Sequence, residues 1–288
     1  MISSMTGYAA VTRETAAGSI SLDLRSVNGR FLDVQFRIAE ELRPAEPSLR
    51  EAVMASLARG KVDCRIAFTP SPAARGEAAL STEALERLAR LSRRVRESIP
   101  DATPLRVADV LHWPGVLGDD AAEAETLRQA TTDAMRAALA ELGTSRAREG
   151  EKLAHMLLER VAKIRTRLAA LEPLLPQAIA AYEERLAAKL REALGGADEE
   201  RIRQEIAVYG VRIDVAEELS RLAAHLDEIE RVIAAGGAVG KRLDFLMQEL
   251  NREANTLGSK SVSKELSAAA LEFKVLIEQM REQVQNLE

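Results

Sequence analysis

The sequence of 288 residues has a single cysteine, Cys64, and aromatic residues make up only 3% of it. One cysteine excludes an internal disulfide and is typical of a protein from a reducing compartment. No apolar run reaches the roughly 18 residues that would span a membrane. The N-terminus also lacks the basic region and apolar core of a secretory signal. We therefore expect a cytoplasmic protein that does not associate with membranes.

An excess of positive charge is missing too. The 45 acidic and 40 basic side chains give a net charge of −5, and the pI is about 5.6. Proteins that bind nucleic acid mainly by neutralising phosphates are usually basic, so the composition argues mildly against RNA binding. An acidic nuclease is compatible with this charge if its basic residues converge on one surface, and it would need carboxylates to hold a metal.

Several familiar catalytic motifs are also absent. The sequence has no glycine-rich phosphate loop, which argues against binding of a nucleoside triphosphate. It has no G-x-S-x-G motif of a serine hydrolase. The histidines are His112, His155 and His225, and none has the short spacing of a zinc site.

The first 70 residues predict a small mixed sheet with one helix. Alternating polar and apolar residues predict strands over 19–24 and 30–38, joined by a two-residue hairpin at Asn28-Gly29. The other elements expected here are a strand over 5–13, a helix over 46–58 and a strand over 60–68.

The rest of the chain predicts helices after a proline-containing linker at 69–74. We divide the chain into an N-terminal α+β region (1–70), a helical connecting region (71–143) and a C-terminal helical region (144–288). The expected helices are one that Thr82 caps, then 123–142, 144–171, a continuation to 194 after Pro173 and Pro176, 198–234, 240–260 and 264–285. Glycine pairs at 195–196 and 236–237 would end two of them. Long apolar stripes favour antiparallel packing of these helices. The predicted fold class is α+β.

The helix predicted over 240–260 is the most informative segment. Its apolar residues recur at helical spacing and form one stripe. Its polar face carries Asn251, Asn255, Thr256 and Ser259, which are weaker helix formers than the residues usual on a solvated face. Such a face indicates that its side chains serve something other than helix formation.

Two carboxylates on this helix are candidate metal ligands. Glu249 and Glu253 are four residues apart, so they neighbour each other and repel mildly. A divalent cation or a facing arginine would remove the repulsion, and oxygen-rich clusters suit Mg²⁺ or Mn²⁺. The alternative is an ordinary polar helix whose glutamates pair with Arg242, Arg252 or Lys260.

The preceding helix carries a second patterned face. Asp214, Glu218, Arg221 and His225 follow each other at spacings of four, three and four residues, which places them on one side of a helix. A turn at 236–237 would make the two helices antiparallel neighbours, so that His225 and Arg221 face the two glutamates. The alternative is a ladder of salt bridges, Asp214–Glu218–Arg221, within one helix. His225 ranks above His155 as a ligand or general acid/base, and His112 is expected to be structural.

Basic and aromatic residues near the N-terminal turns are candidates for RNA contacts. Arg25, Asn28 and Arg30 surround the expected hairpin, and arginine and asparagine suit phosphate and base contacts. Tyr8 and Phe31 are candidates for base stacking, although we expect Phe31 to pack in the sheet. The alternative is a plain turn with solubilising flanks.

The sequence resembles the YicC-like endoribonuclease family over nearly its whole length. The residues that carry the resemblance, in chain order, are SMTGY (4–8), LRSVNGRFLD (24–33), RGKVD (59–63), WPGV (113–116), REG (148–150), DVAEELSRL (214–222) and KRLDFLMQELNREANTLGSKS (241–261). The resemblance implies a cytoplasmic bacterial protein with metal-dependent endoribonuclease activity. It also implies a ring-like homo-oligomer, for which we expect a hexamer.

The resemblance thus implies a metal-dependent endoribonuclease, which we expect to cleave single-stranded or hairpin RNA, and the roles of its residues are our hypothesis from their spacing. We expect Glu249 and Glu253 to hold Mn²⁺ or Mg²⁺ as catalytic residues, with Asp244, Glu218 or His225 completing the site. The residues expected to contact RNA are Arg25, Asn28, Arg30, Arg212, Arg221, Arg242, Arg252 and Lys260. Other RNA-decay proteins are candidate partners. The alternatives are a non-catalytic RNA chaperone or adaptor that presents RNA to another nuclease, and a purely structural assembly protein.

Overall fold

The computed structural model describes residues 2–71, 80–116, 120–193 and 199–288. The chain divides into two compact units. One contains Gly7–Ser145, and the other combines Met1–Thr6 with Arg146–Glu288. The predicted α+β class is confirmed, because a small mixed sheet with a helix is followed by a long, mostly helical region.

The sheet of the first unit has four strands in the order β1-β2-β4-β3. Strand β2 pairs antiparallel with both β1 and β4, whereas β3 pairs parallel with β4. The strands are β1 (Gly7–Glu14), β2 (Gly18–Val27), β3 (Leu32–Ile38) and β4 (Gly60–Pro70).

The hairpin predicted at Asn28-Gly29 is wrong. Strand β4 lies between β2 and β3, so these two strands do not pair. A type I′ hairpin turn needs a positive φ at both central residues, and neither residue has one. Gly29 is required for a different reason, since a Cβ atom there would lie 3.0 Å from the backbone of Gly60 and Lys61. Gly29 therefore lets the loop that follows β2 pass close to the start of β4.

The core of this unit lies between the sheet and two helices. A short 3-10 helix, Glu40–Ala45, leads into α1 (Glu46–Ser56). Alternate residues of β2, Ile20, Leu22 and Leu24, are fully buried. They belong to one cluster with apolar residues of α1 and of the first half of the long helix α4 (Asp120–Leu171). The period of two residues thus assigns one face of the sheet to the core and leaves the other to polar side chains.

Two helix boundaries in the middle of the chain differ from the prediction. Helix α2 (Thr82–Ser98) is capped by Ser81, whose hydroxyl accepts from the Ala84 N–H at 3.2 Å, and not by Thr82. A five-residue helix, α3 (Val107–Leu111), follows it. The break expected near residue 143 is wrong, because α4 continues through Gly143. One glycine costs a helix only about 1 kcal/mol, which a long helix with a buried apolar face offsets.

The second unit contains the remaining helices. They are α5 (Leu175–Ala193) after the 3-10 helix Glu172–Leu174, α6 (Glu199–Ile213), α7 (Ala216–Ala235), α8 (Gly240–Lys260) and α9 (Lys264–Val284). The single helix predicted over 198–234 is wrong. The chain leaves the helix at Asp214, whose carboxylate accepts from the Ala216 N–H at 3.0 Å and begins α7. The glycine pair predicted at 195–196 lies outside the described residues.

Helix α8 lies in the core of this unit. Its stripe of Leu243, Leu246, Met247, Leu250 and Leu257 is buried among apolar residues of α7, α9 and the second half of α4. The predicted turn before α8 is confirmed, with φ of 69° at Gly236 and 84° at Gly237, values that favour glycine. No helix among the described residues combines the length and apolar character that a membrane crossing requires.

Candidate metal site

Three side chains on α7 and α8 form a candidate metal site. One possible ligand atom from each of His225, Glu249 and Glu253 lies within 4.8 Å of the other two. Glu253 is buried, with 3% of its surface exposed, and the other two are half-buried. We call these three residues the ligand trio.

The sequence brings the ligand trio together through two features. The Gly236-Gly237 turn brings the chain back so that α8 packs against α7. The buried apolar stripe of α8 then fixes the rotation of this helix, and positions 249 and 253 share one edge of it. On α7, His225 precedes the fully buried Leu226, which places its ring at the edge of the same core.

The chemistry of the ligand trio fits a divalent first-row metal. Nitrogen and oxygen ligands lie about 2 Å from such an ion and therefore about 3 to 4 Å from each other. The ligand atoms of the trio, all within 4.8 Å of one another, can reach that spacing by rotation of their side chains. Carboxylates suit Mg²⁺ and Mn²⁺, while imidazole favours later transition metals. A mixed set of this kind fits Mn²⁺ better than Mg²⁺.

Arg221 lies beside the ligand trio. Its guanidinium Nη1 is 3.5 Å from Glu253 Oε1, and it also pairs with Glu217. The charges of Glu217 and then of Glu253 raise the pKa of Arg221 above its ordinary value. A permanent positive charge therefore stands next to a buried carboxylate. Glu249 has a looser neighbour in Arg252, at 3.9 Å.

Glu218 lies outside the ligand trio and has its own cation. The Lys260 ammonium donates to Glu218 Oε1 at 2.8 Å and to the Asp214 carbonyl at 2.9 Å. The other oxygen of Glu218 is buried without a hydrogen-bond partner. The alternative ladder Asp214–Glu218–Arg221 is wrong in its pairings, because Asp214 precedes α7 and Arg221 pairs with Glu217.

The remaining candidates of this unit are spread over its surface. Asp244 accepts from Gln248 at 2.9 Å and lies 3.9 Å from Arg281 of α9, so it is not part of the ligand trio. Arg242 pairs with Glu228. The guanidinium of Arg212 lies 5.6 Å from the centre of the Tyr209 ring. His155 is exposed and lies 3.5 Å from Glu159.

The candidates of the first unit lie near the exposed edge and face of the sheet. Arg25 lines a cleft of about 330 Å³ together with Lys61 and Asp63. Asn28 and Arg30 belong to the loop that follows β2 and precedes β3 in the sequence. The expectation that Phe31 packs in the sheet is wrong, because this residue precedes β3 and is 73% exposed, with the Arg30 guanidinium 5.3 Å from its ring. Tyr8 is also exposed, and its hydroxyl donates to Asp23, which raises the pKa of the phenol.

The sequence analysis did not include a group of basic residues on α2 among the candidates for RNA contacts. The 17 residues of α2 contain five arginines, Arg87, Arg90, Arg93, Arg94 and Arg96, and all are exposed. Five arginines within 17 residues of an acidic chain form a local basic segment, and this pattern is visible in the sequence alone. His112 follows α3 and contacts the Ala108 carbonyl at 2.7 Å, which fits the structural role expected of it.

Comparison with known proteins identifies the family. Residues 2–155 match the family described as "Endoribonuclease YicC-like, N-terminal region", and residues 171–288 match "Endoribonuclease YicC-like, C-terminal". The chain is 37% identical to the probable endoribonuclease YicC of Haemophilus influenzae over 288 residues, which covers all of both chains. It is 27% identical to the probable endoribonuclease YicC of Clostridioides difficile over 297 residues, again across both whole chains. The resemblance found in the sequence is confirmed: the chain belongs to the YicC-like endoribonuclease family.

Proposed function

We propose that this protein is a metal-dependent endoribonuclease that cleaves single-stranded or hairpin RNA. The observation that carries the proposal is the ligand trio, since an imidazole and two carboxylates converge from two helices. These helices lie in the segment that matches the C-terminal family description. We place the enzyme in the cytoplasm, in agreement with its free, buried Cys64.

His225, Glu249 and Glu253 would hold a divalent cation, for which Mn²⁺ is the better fit. The metal would act as a Lewis acid that polarises the scissile phosphate. The burial of Glu253 supports a strong interaction with a cation, because a carboxylate withdrawn from water attracts charge more strongly. The chain therefore provides two carboxylates and one imidazole at this place.

Arg221 would bind the phosphate that is cleaved. Its guanidinium keeps its charge, is half exposed, and already lies next to Glu253. A guanidinium can donate two parallel hydrogen bonds to phosphate oxygens, and it stabilises the charge that builds on them during cleavage. Arg252, which is 72% exposed beside Glu249, would bind a neighbouring phosphate.

The other basic candidates have different roles in this proposal. Lys260 holds the buried Glu218, so its charge supports the fold. Arg242 is exposed, so it can leave its ion pair with Glu228 and bind a phosphate instead. Arg25 and Lys61 line one cleft of the first unit, where they would guide the RNA backbone.

We further propose that the protein works as a ring-like homo-oligomer, with a hexamer as the expected form. Three large apolar side chains of α8 and α9 support subunit contacts. Phe245 is 58% exposed, Leu271 65% and Val275 51%. Leu271 and Val275 are four residues apart and share one face of α9, and exposed apolar side chains that share a face are typical of interfaces. Other RNA-decay proteins remain candidate partners of such an assembly.

The rival function is an RNA adaptor without catalysis, which the net charge of −5 favours. The test is cleavage of a labelled RNA hairpin by the full-length protein in Mn²⁺, Mg²⁺ or EDTA. A Glu249→Ala/Glu253→Ala variant, checked for folding and assembly, should lose the metal-dependent cleavage. A Glu278→Ala/Glu282→Ala variant has the same loss of two glutamates four residues apart on α9 and should cleave normally. RNA binding without cleavage in any metal would establish the adaptor instead.

A further inference from the structure

A second cleft with the character of a binding site lies in the first unit. It has a volume of about 450 Å³ and is bounded by the start of α2 and the turn that follows α3. Its lining includes Glu83, Arg87, Leu91 and Trp113. Trp113 is 44% exposed. We call this place the Trp113 cleft.

The backbone around the Trp113 cleft is fixed by hydrogen bonds. The Trp113 N–H donates to the Val110 carbonyl at 3.2 Å, and the Val116 N–H donates to the Trp113 carbonyl at 3.1 Å. The Ser81 N–H, which precedes α2, donates to the Val116 carbonyl at 2.8 Å. Val116 itself is fully buried. Trp113 is thus held at the surface by an anchored turn, with nearly half of its area open to solvent.

The positive charge next to the indole is available for a ligand. Arg90 of α2 pairs with Glu86 at 3.7 Å. Arg87 and Arg94 have no ion pair or hydrogen bond of their side chains within the described part of the chain. They are seven residues apart and therefore lie on the same face of α2, about 10 Å from each other. A free guanidinium in the cleft and another two turns away form a short track for phosphates.

From these features we infer that the Trp113 cleft binds an unpaired nucleobase of RNA. The base stacks on the indole of Trp113, as bases do on exposed aromatic rings in single-strand binding proteins. Arg87 and Arg94 bind the flanking phosphates, and Glu83 accepts a hydrogen bond from a base N–H. A paired base is held in its duplex and cannot enter. This inference rests on the proposed function, because it takes RNA as the substrate.

The charged groups of the cleft favour RNA over a protein partner. Leu91 and Val95 of α2 and Ile99 directly after it are exposed, and a second copy of the chain packed there would cover them. An apolar subunit contact over the cleft would bear the cost of withdrawing the charges of Arg87 and Glu83 from water. An RNA strand provides a phosphate for Arg87 and a base N–H for Glu83. The subunit contact is therefore the outcome against which the inference is tested.

Trp113 is the one tryptophan of the sequence, so its fluorescence reports on the cleft directly. A single-stranded RNA oligonucleotide of ten adenylates, whose bases are unpaired, is titrated into the full-length protein in EDTA, where the metal site is not engaged. The expected result is a saturable quench of the fluorescence, and a blunt RNA duplex of the same length should not produce it. Binding of the oligonucleotide, measured by anisotropy, without any quench would overturn the inference.

Variants test the same point without the tryptophan signal. Trp113→Ala should weaken binding of the labelled oligonucleotide about tenfold or more, whereas Trp113→Phe, which keeps a stacking ring, should remain within about threefold. Arg87→Gln should weaken binding and lower the slope of its salt dependence by about one. Arg96→Gln, on the opposite face of α2, should weaken it less than Arg87→Gln does.

Two further measurements separate this inference from the proposed function. If Trp113→Ala binds the oligonucleotide as the wild type does and cleaves the hairpin in Mn²⁺, the inference fails while the nuclease proposal stands. If the wild type does not cleave the hairpin but the oligonucleotide still quenches the fluorescence of Trp113, the nuclease proposal fails and the cleft stands as an RNA site. A change of mass of Trp113→Ala in sedimentation, with unchanged RNA affinity, would make the cleft a subunit contact.

Discussion

The guanidinium of Arg221 lies 3.5 Å from the carboxylate of Glu253, and the Glu253 side chain is 5% exposed while that of Arg221 is 50% exposed. A half-exposed cation thus neutralises a buried anion that also belongs to the ligand trio. In the absence of metal, Arg221 is the positive charge that stabilises Glu253. A bound cation would take over this role and leave Arg221 to the phosphate.

This relationship predicts that Arg221→Gln destabilises the protein mainly when no metal is bound. The variant should have a lower urea midpoint than the wild type in EDTA, and Mn²⁺ should reduce the difference. Arg231→Gln is the matched control, because Arg231 pairs with Glu228 on the exposed side of the same helix. Cleavage by Arg221→Gln in Mn²⁺ should be at least about tenfold slower than that of the control, from the loss of a charge-assisted hydrogen bond. An equal midpoint difference with and without Mn²⁺ would show that the metal does not share Glu253.

The pair of Lys260 and Glu218 predicts a purely structural effect. Lys260→Met should lower the free energy of unfolding by about 2 to 3 kcal/mol, because the buried carboxylate of Glu218 loses the cation that faces it. The figure is below that of a fully buried pair, since the Lys260 side chain is 29% exposed. Lys264→Met, at an exposed position of α9, should change the stability by less than about 0.5 kcal/mol. The double variant Glu218→Gln/Lys260→Met should recover part of the loss.

Metal binding by variants tests whether Glu218 is a metal ligand. We expect Glu218→Gln to bind Mn²⁺ as tightly as the wild type in calorimetry, because Glu218 lies outside the ligand trio. Glu249→Gln should weaken the binding strongly. A comparable loss in both variants would return Glu218 to the metal site.

The sequence was most informative where periodicity alone decides the structure. The stripe of α8 fixed its bounds and its buried face, and the Gly236-Gly237 turn fixed its return onto α7. From these two features the convergence of His225 with Glu249 and Glu253 could be predicted. The partners of Glu218 could not, because they depend on the break at Asp214 that places the carbonyl of this residue beside Lys260.

The sheet shows the limit of local reasoning. An Asn-Gly pair between two alternating segments is a strong hairpin signal. Here it is overridden by the insertion of β4, a strand about thirty residues further along the chain, between β2 and β3. The Trp113 cleft was missed for a similar reason, since it depends on a turn after α3 that meets the start of α2.

Cys64 predicts a loss of stability at alkaline pH. Burial, followed by the charge of Asp63, raises the pKa of this thiol from 9.0 to about 12. Above pH 9 the unfolded chain releases the thiol proton and the folded chain does not, so stability that is complete below pH 9 declines as the pH rises toward 12. At pH 10 the loss should be about 1.4 kcal/mol. Urea unfolding at pH 8 and pH 10 measures it, with Cys64→Ala as the control whose stability lacks this contribution. An identical decline in both proteins would refute the assignment.

Two glycines of α4 predict opposite effects of the same substitution. A Cβ atom at Gly150 would lie 2.3 Å from the Ile2 carbonyl oxygen and 2.8 Å from Ser3 Cα, whereas a Cβ atom at Gly143 would have no neighbour within 4 Å. Gly143→Ala should therefore stabilise the protein by up to about 1 kcal/mol, because alanine favours the helix.

Gly150→Ala should gain the same helix propensity and still destabilise the protein, because the N-terminal segment must move away from α4. That segment is held by backbone hydrogen bonds from Ser4 N–H to the Arg146 carbonyl at 2.9 Å and from Met5 N–H to the Asn286 carbonyl at 2.8 Å. Hydrogen exchange of these two amides should be faster in Gly150→Ala and unchanged in Gly143→Ala. If both alanine variants were stabilised equally, the close passage of residues 2 and 3 over α4 would be contradicted.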